Sequence, residues 1–277
     1  MKKSLTILTI AVFATTALAD WTGGPAKWVQ RPDLSSTGLD VRCGTNPPYD
    51  TQVKTLADDF LCEAPGPITS IHIWGSWLED VTPFGIPEFV DFQLSIHRDI
   101  PADESPTGYS MPDPDPLWVA DFPAGSVIWR VEEEGLQEQF YDPNHDFGAP
   151  PENGIIGQDT ICYQYNFDIA ASGLAPFFQE GTPDNPIVYW LDVTARPIPG
   201  FDAVFGWKTS LDHWNDDAVW WDQVLGAIPG ELRYPLGHPM EGESIDLAFV
   251  IVPEPGTMVL LGVGGVLSLV RRRRRRA

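Results

Sequence analysis

The densest gathering of groups able to do chemistry is SLDHWNDDAVWWD, residues 210–222. Asp212, Asn215, Asp216, Asp217 and Asp222 are hard oxygen donors of the kind that Ca²⁺ takes from a loop between strands. The spacing is not that of an EF-hand, because no Gly stands at the sixth position and no Glu closes the loop at the twelfth. The competing reading is a solvated turn whose Asp and Asn side chains cap backbone N–H groups. His213 could complete a transition-metal site. The five histidines (72, 97, 145, 213 and 238) never stand at His-x-x-x-His spacing, however, and this argues against a zinc hydrolase. Asp58-Asp59 could meet this loop as acid and base or as shared ligands. Neighbours on a strand point to opposite faces, so one of the two is expected to face the core and the other to lie exposed.

Aromatic side chains crowd the same region. Trp207, Trp214, Trp220 and Trp221 offer flat faces that stack on sugar rings, which makes them candidates for glycan stacking. The bland reading is core packing, since large aromatics are usually inside. Trp220 and Trp221 must face opposite ways if they share a strand. Nucleophile signatures are missing: there is no Gly-x-Ser-x-Gly, no phosphate-binding Gly-rich loop and no His-Glu-x-x-His. A glycosidase needs only two carboxylates at the right separation, and the abundant acidic residues neither exclude nor locate such a pair.

The elements that must position these groups read as strands. Val90, Phe92, Leu94 and Ile96 alternate with polar residues, as do Ile161, Tyr163, Tyr165 and Phe167, and Ile245, Leu247, Phe249 and Ile251. Residues 68–77, 126–132, 186–195 and 203–209 add β-rich runs without clean alternation. No stretch outside the two ends carries helical periodicity with caps. Prolines gather between the strands, as in residues 99–116 and 141–154, where a missing N–H costs no ladder bond. The expectation is one all-β domain over residues 20–252, an antiparallel β-sandwich, jelly-roll-like, with long Pro/Gly loops.

Charge narrows the partners. Between Asp20 and Val252, nine Lys/Arg stand against 38 Asp/Glu, a balance of 9 − 38 = −29. Nucleic-acid phosphates and anionic lipid heads repel such a body. Divalent cations, neutral glycans and basic proteins remain as partners. Beyond a candidate Ca²⁺, no cofactor is expected.

Both ends are addresses. Residues 1–19 combine Lys2 and Lys3, an apolar stretch from Leu5 to Phe13, and an Ala17-Leu18-Ala19 cleavage site, so signal peptidase is expected to cut between Ala19 and Asp20. In the oxidising compartment beyond, Cys43, Cys62 and Cys162 allow at most one internal disulfide. Cys43–Cys62 closes the shortest loop, with buried free thiols as the alternative. At the other end, Thr257–Val270 is 14 uncharged residues followed by six arginines. A helix of that length covers about 21 Å, short of the ~30 Å hydrocarbon core, so it is a poor permanent span. The arginines belong on the cytoplasmic side.

Pro253-Glu254-Pro255, the hydrophobic helix at 257–270 and the cluster Arg271–Arg276 together resemble the PEP-CTERM sorting signal of Gram-negative bacteria. The resemblance covers residues 253–277. It implies recognition and cleavage near Pro253, Glu254 and Pro255 by an exosortase-type membrane protease, then release or transfer to the cell surface, with a membrane anchor only before processing. Such proteins tend to accompany exopolysaccharide or biofilm matrix. KWVQRPD (27–33), LADDFLC (56–62), GPITSIHIWGSW (66–77), GWKTSLDHWNDDAVWW (206–221), ELRYP (231–235) and DLAFVI (246–251) resemble an uncharacterised β-rich domain of secreted bacterial proteins, for which no activity is implied. The expected function is a non-catalytic structural or binding protein of the extracellular matrix. The alternatives are a polysaccharide-active enzyme using paired carboxylates and a lectin-like glycan-binding module.

Overall fold

The computed structural model describes residues 20–45, 53–143, 153–198, 203–222 and 228–253. The proposed signal peptide, Ala19, Glu254, Pro255 and the C-terminal hydrophobic helix lie outside them. The strands in chain order are β1 (Trp28–Gln30), β2 (Leu39–Arg42), β3 (Lys54–Cys62), β4 (Gly66–Trp77), β5 (Val90–Ile100), β6 (Met111–Pro112), β7 (Trp118–Phe122) and β8 (Ile128–Tyr141). They continue as β9 (Ile155–Asp168), β10 (Phe178–Gln179), β11 (Ile187–Pro197), β12 (Phe205–Ser210), β13 (Val219–Asp222), β14 (Gly230–Glu231), β15 (Asp246–Leu247) and β16 (Phe249–Pro253). A single helical turn, α1 (Ile169–Ser172), is capped by Asp168, whose carboxylate accepts from Ala171 N, and it stops at Gly173 in the left-handed region.

Two curled sheets form a sandwich, as the alternation demands. The first runs β1-β16-β4-β9-β8-β2-β12-β15, and the second β14-β13-β3-β11-β5, with β6 and β7 both on β5. Aromatic rings lock the two together. Phe92 of the second sheet meets Tyr165, Phe167 and Phe205 of the first at centroid distances of 5.2, 5.2 and 5.3 Å. Phe60 meets Phe249 at 5.9 Å. These are edge-on or tilted arrangements, the geometry that aromatic quadrupoles favour.

The first sheet also closes on itself, which the alternation did not foretell. β4 pairs with β9, β9 with β8, β8 with β2, β2 with β12, and β12 again with β4. Four of these five pairings are antiparallel, and β2–β8 is parallel. Parity requires this, because an odd ring of strands cannot alternate direction all the way round. Closure brings β12 against the end of β4, and glycine makes the approach feasible. A Cβ on Gly75 would stand 2.3 Å from the Gly206 carbonyl oxygen.

Period-two alternation then sorts the ring's side chains. Leu39, Val41, Trp77, Tyr163, Tyr165 and Trp207 enter the core between the sheets. Their neighbours Asp40, Ser76, Cys162 and Lys208 turn the other way and are nonetheless fully buried.

Candidate functional site

Every strand of the ring supplies a polar group to its interior: Asp40 from β2, Ser76 from β4, Glu138 from β8, Asp159 from β9 and Lys208 from β12. Lys208 and Asp40 are direct partners in the β12–β2 register. Lys208 Nζ donates to Asp40 Oδ2 at 2.8 Å and also to Glu138 Oε2. The side chains of all three are 0 % exposed. Asp40, Glu138 and Asp159 each place a carboxylate oxygen within 4.8 Å of the others, the one such grouping of three acidic, His or Cys residues among the described residues. Asp40 Oδ1, Glu138 Oε1, both oxygens of Asp159 and Ser76 Oγ are buried without a well-formed hydrogen bond among the described residues, although Ser76 and Asp159 stand close enough to Asp40 to oppose the rise that burial gives its pKa.

One ammonium among three buried carboxyls leaves an excess of negative charge that protons must relieve. Burial, then the neighbouring Asp40 charge, pushes Asp159 up to about 10, so it is a neutral acid at neutral pH. Burial pushes Glu138 up to about 7 in spite of Lys208. Burial would lower Lys208, but Asp40 and the other acidic neighbours outweigh it and hold the amine well above its ordinary value. Three oxygens this close could hold a hard cation. The ammonium already occupies the place between two of them, so a metal would have to displace Lys208.

The loop at 210–222 does not converge in the same way. Asp212 Oδ2 accepts from Arg31 N at 2.9 Å, on the exposed surface. Asp217 binds Arg233 Nη2 at 2.7 Å and accepts from Ser244 Oγ. Asn215, at φ 60°, donates its amide to Asp59 Oδ2. Asp216 stands half-buried near Asp59, and Asp222 ends β13 opposite Lys54. Asn215 and Asp216 share Asp59 as a neighbour, while Asp212, Asp217 and Asp222 turn to other parts of the chain.

Asp59 meets the loop and Asp58 does not, and neither is exposed, against the expectation for adjacent strand residues. Asp58 points between the sheets and accepts from Gln30 Nε2 at 3.0 Å and Leu247 N at 2.6 Å. Asp59 points to the outer face, where Asn215 covers it. Burial, opposed by the Asn215 bond and aided by Asp246, pushes it up to about 8. The loop roofs a face that alternation alone would leave wet.

Of the four tryptophans, Trp207 is fully buried and donates to the Ala248 carbonyl at 2.8 Å. Trp214 is half-buried, edge-on to Trp28 at 5.0 Å. Trp220 and Trp221 face opposite ways as required, Trp220 against the main core and Trp221 against Trp190, Ala57 and Val219.

The expected Cys43–Cys62 disulfide does not form: Cys43, Cys62 and Cys162 are buried free thiols. Gly44 bridges Lys54 at the start of β3, and Cys62 ends that strand. Eight strand residues separate the two thiols by about 26 Å, far beyond the ~7 Å Cα limit for a disulfide. Cys43 Sγ instead contacts the Val193 carbonyl at 3.1 Å. At the start of the body, Asp20 Oδ1 accepts from Asn166 Nδ2 at 3.1 Å, and Trp21 N donates to Gln164 Oε1 at 3.2 Å, so the chain is docked from Asp20 onward.

Ser95, His97 and Asp192 also gather, buried on the outer face of the second sheet. His97 Nε2 contacts both Ser95 Oγ (2.9 Å) and Asp192 Oδ2 (3.0 Å), while Nδ1 binds the Asp113 carbonyl. A catalytic triad needs opposite ring nitrogens on the serine and the carboxylate. This trio fastens the loop after β5 instead.

A family model described as a domain of unknown function, DUF7901, matches residues 26–252. The chain belongs to the DUF7901 family. The PEP-CTERM protein-sorting motif matches residues 252–275, directly after the DUF7901 body. That signal marks an exported, cell-surface-directed protein processed by an exosortase. No curated protein and no solved structure matches the chain.

Asp40, Glu138, Asp159 and Lys208 were not singled out from the sequence. They lie up to 168 positions apart, and only closure of the ring brings them together. A lysine inside the β-rich run 203–209 was the one local signal.

Proposed function

We propose that the chain is a surface-sorted protein with a structural or binding role in the extracellular matrix and no catalysis of its own. The observation that carries this reading is the junction at Pro253. β16 ends there and the sorting motif begins at residue 252, so removal of the tail near Pro-Glu-Pro takes away no strand. β16 lies between β1 and β4, well inside the first sheet. The body is thus built to remain whole after cleavage.

Charge supports the same reading. Of the nine basic residues of the body, Lys54 and Lys208 are buried and Arg42 is committed to Asp142 at 2.7 Å. The outer surface is therefore poor in cations. Such a surface stays soluble and joins neutral or anionic polymers through divalent cations.

The test is the intact mass of the protein recovered from its native envelope and medium, with the C-terminal peptide sequenced. A chain from Asp20 to near Pro253 is expected. A chain still carrying Arg271–Arg276 would make it a tethered membrane domain. Co-sedimentation with the exopolysaccharide of its own cells, in Ca²⁺ and in EDTA, tests the matrix role. Depolymerisation of the polysaccharide would favour the enzyme reading.

A further inference from the structure

The Lys208 amine and the Asp40 carboxyl touch inside an enclosure closed to bulk solvent. Nζ stands 2.8 Å from Oδ2, the two residues are opposite one another in register, and neither side chain is exposed. In water an ammonium and a carboxylate remain a solvated salt. Held in contact away from bulk solvent, they lose much of that stabilisation and gain the effective concentration of fixed reactants. Condensation then needs a group to carry protons between nitrogen and the departing oxygen. Glu138 is in place for this, because its Oε2 already accepts from Lys208 Nζ.

We infer that Lys208 Nζ and Asp40 Cγ join in an intramolecular isopeptide bond, with Glu138 as the catalytic proton carrier. Glu138 takes one proton from the ammonium, an uphill transfer because the acidic neighbours hold the amine above its ordinary value, and frees the nitrogen lone pair, which attacks Cγ. A second proton leaves nitrogen as the tetrahedral intermediate collapses, and the Cγ–O bond breaks. Of the three ammonium protons one stays on the amide, and two leave with one carboxylate oxygen as water. Nothing is oxidised or reduced and no co-reactant enters. Asp159 and Ser76 Oγ, both beside Asp40, are at hand to receive that water. Glu138 near pH 7 can both take and return a proton.

A second buried pair shows why proximity alone does not suffice. Lys54 Nζ stands 2.7 and 2.8 Å from the two oxygens of Asp142. Arg42 binds the same carboxylate, and against the effect of burial the two cations hold its pKa below the ordinary value. An ionised carboxylate fixed by two cations is a poor electrophile, whereas burial raises the pKa of Asp40 against the pull of Lys208. That pair stays ionic and serves as the internal control. The Lys208–Asp40 bond would tie β2 to β12 across 168 positions in a chain whose three thiols are all unpaired.

The experiment is peptide mapping by mass spectrometry of the folded full-length chain, with each end identified. The expected result is a chain lighter by one water than its sequence, with fragmentation placing the link between Asp40 and Lys208. Lys208 should resist trypsin, and the peptides of Lys54 and Asp142 should be unmodified. Glu138→Gln, which still accepts from Lys208, and Lys208→Arg should each be found at full mass, with folding checked by circular dichroism. A folded wild-type chain at full mass, or a lost water that maps elsewhere, overturns the bond. A linked Glu138→Gln protein overturns the role of Glu138.

Discussion

Lys208 and Asp40 are opposite partners across β12 and β2, and the amine nitrogen of one is sealed against the carboxyl group of the other. The consequence for stability is steep. With the amine removed, Asp40, Glu138 and Asp159 face one another in the ring without a cation. Breaking a buried charge pair from one side costs about 3–5 kcal/mol. Lys208→Met should therefore lower the unfolding free energy in urea by at least about 3 kcal/mol. Adding Asp40→Leu should recover part of the loss, because it takes one stranded carboxyl away. A Lys208→Met protein within about 1 kcal/mol of wild type, the range of an exposed pair, would mean that the amine is solvated.

Stability should rise as the solution is acidified from mildly alkaline pH. Burial raises Asp59 to about 8 and Asp159 to about 10. The unfolded chain ionises these groups near pH 4, while the folded chain keeps their protons through neutrality. Over that window the unfolded state binds fewer protons, so stability falls as pH rises. Each such group contributes about 1.4 kcal/mol per pH unit. Asp142 works in the opposite sense: Lys54 and Arg42 hold its pKa below the ordinary value, and that stabilisation is lost in strong acid. The thermal midpoint should climb from pH 8 to about pH 5 and decline below about pH 4. Asp59→Asn, which can still accept from Asn215, should flatten the slope between pH 5 and 8. An unchanged slope would show that Asp59 is ionised in the folded protein.

What the sequence made legible was whatever depends on short-range periodicity. The alternation at 90–96 and 161–167 marked β5 and β9 with the inward residues correctly chosen, and the C-terminal sorting motif declared itself by composition. Burial of the second face was not legible. Asp59, His97 and Asp192 look like the wet side of strands, and only long-range cover makes them dry. Ring closure was hidden for the same reason, since β2 and β12 are joined by contacts across most of the chain. The loop at 210–222 was the reverse case. Its acidic residues looked convergent because they are adjacent in sequence, but Asp212 turns to Arg31, Asp217 to Arg233, and Asp216 and Asp222 towards opposite ends of β3.

The thiols offer a simple check on the cysteine geometry. All three are buried and unpaired, and burial pushes Cys43 up to about 12. A thiol so protonated is a poor nucleophile. Under native conditions an aromatic disulfide reagent should therefore titrate none of the three. In denaturant, without reductant, it should titrate three. Two fewer equivalents would reveal a bridge and require β3 to be placed differently. Thermal midpoints with and without reductant should coincide.

Ring closure itself can be tested at Gly75. A methyl group there would be 2.3 Å from the Gly206 carbonyl and 2.4 Å from the Phe205 ring. The backbone atom cannot swing aside, so β12 must move away from β4. That movement breaks the pairing of Phe205, Gly206 and Trp207 with Trp77, Ser76 and Gly75. It also opens to bulk solvent the enclosure that buries Lys208 and Asp40. Gly75→Ala should thus cost about 1–3 kcal/mol or more, as overpacking does. It should also expose Lys208 to amine-labelling reagents that leave the wild-type side chain untouched. The paired readout matters, because an overpacked strand in an open sheet would lose stability without exposing the lysine. Unchanged stability together with an unlabelled Lys208 would mean that β4 and β12 do not close the ring.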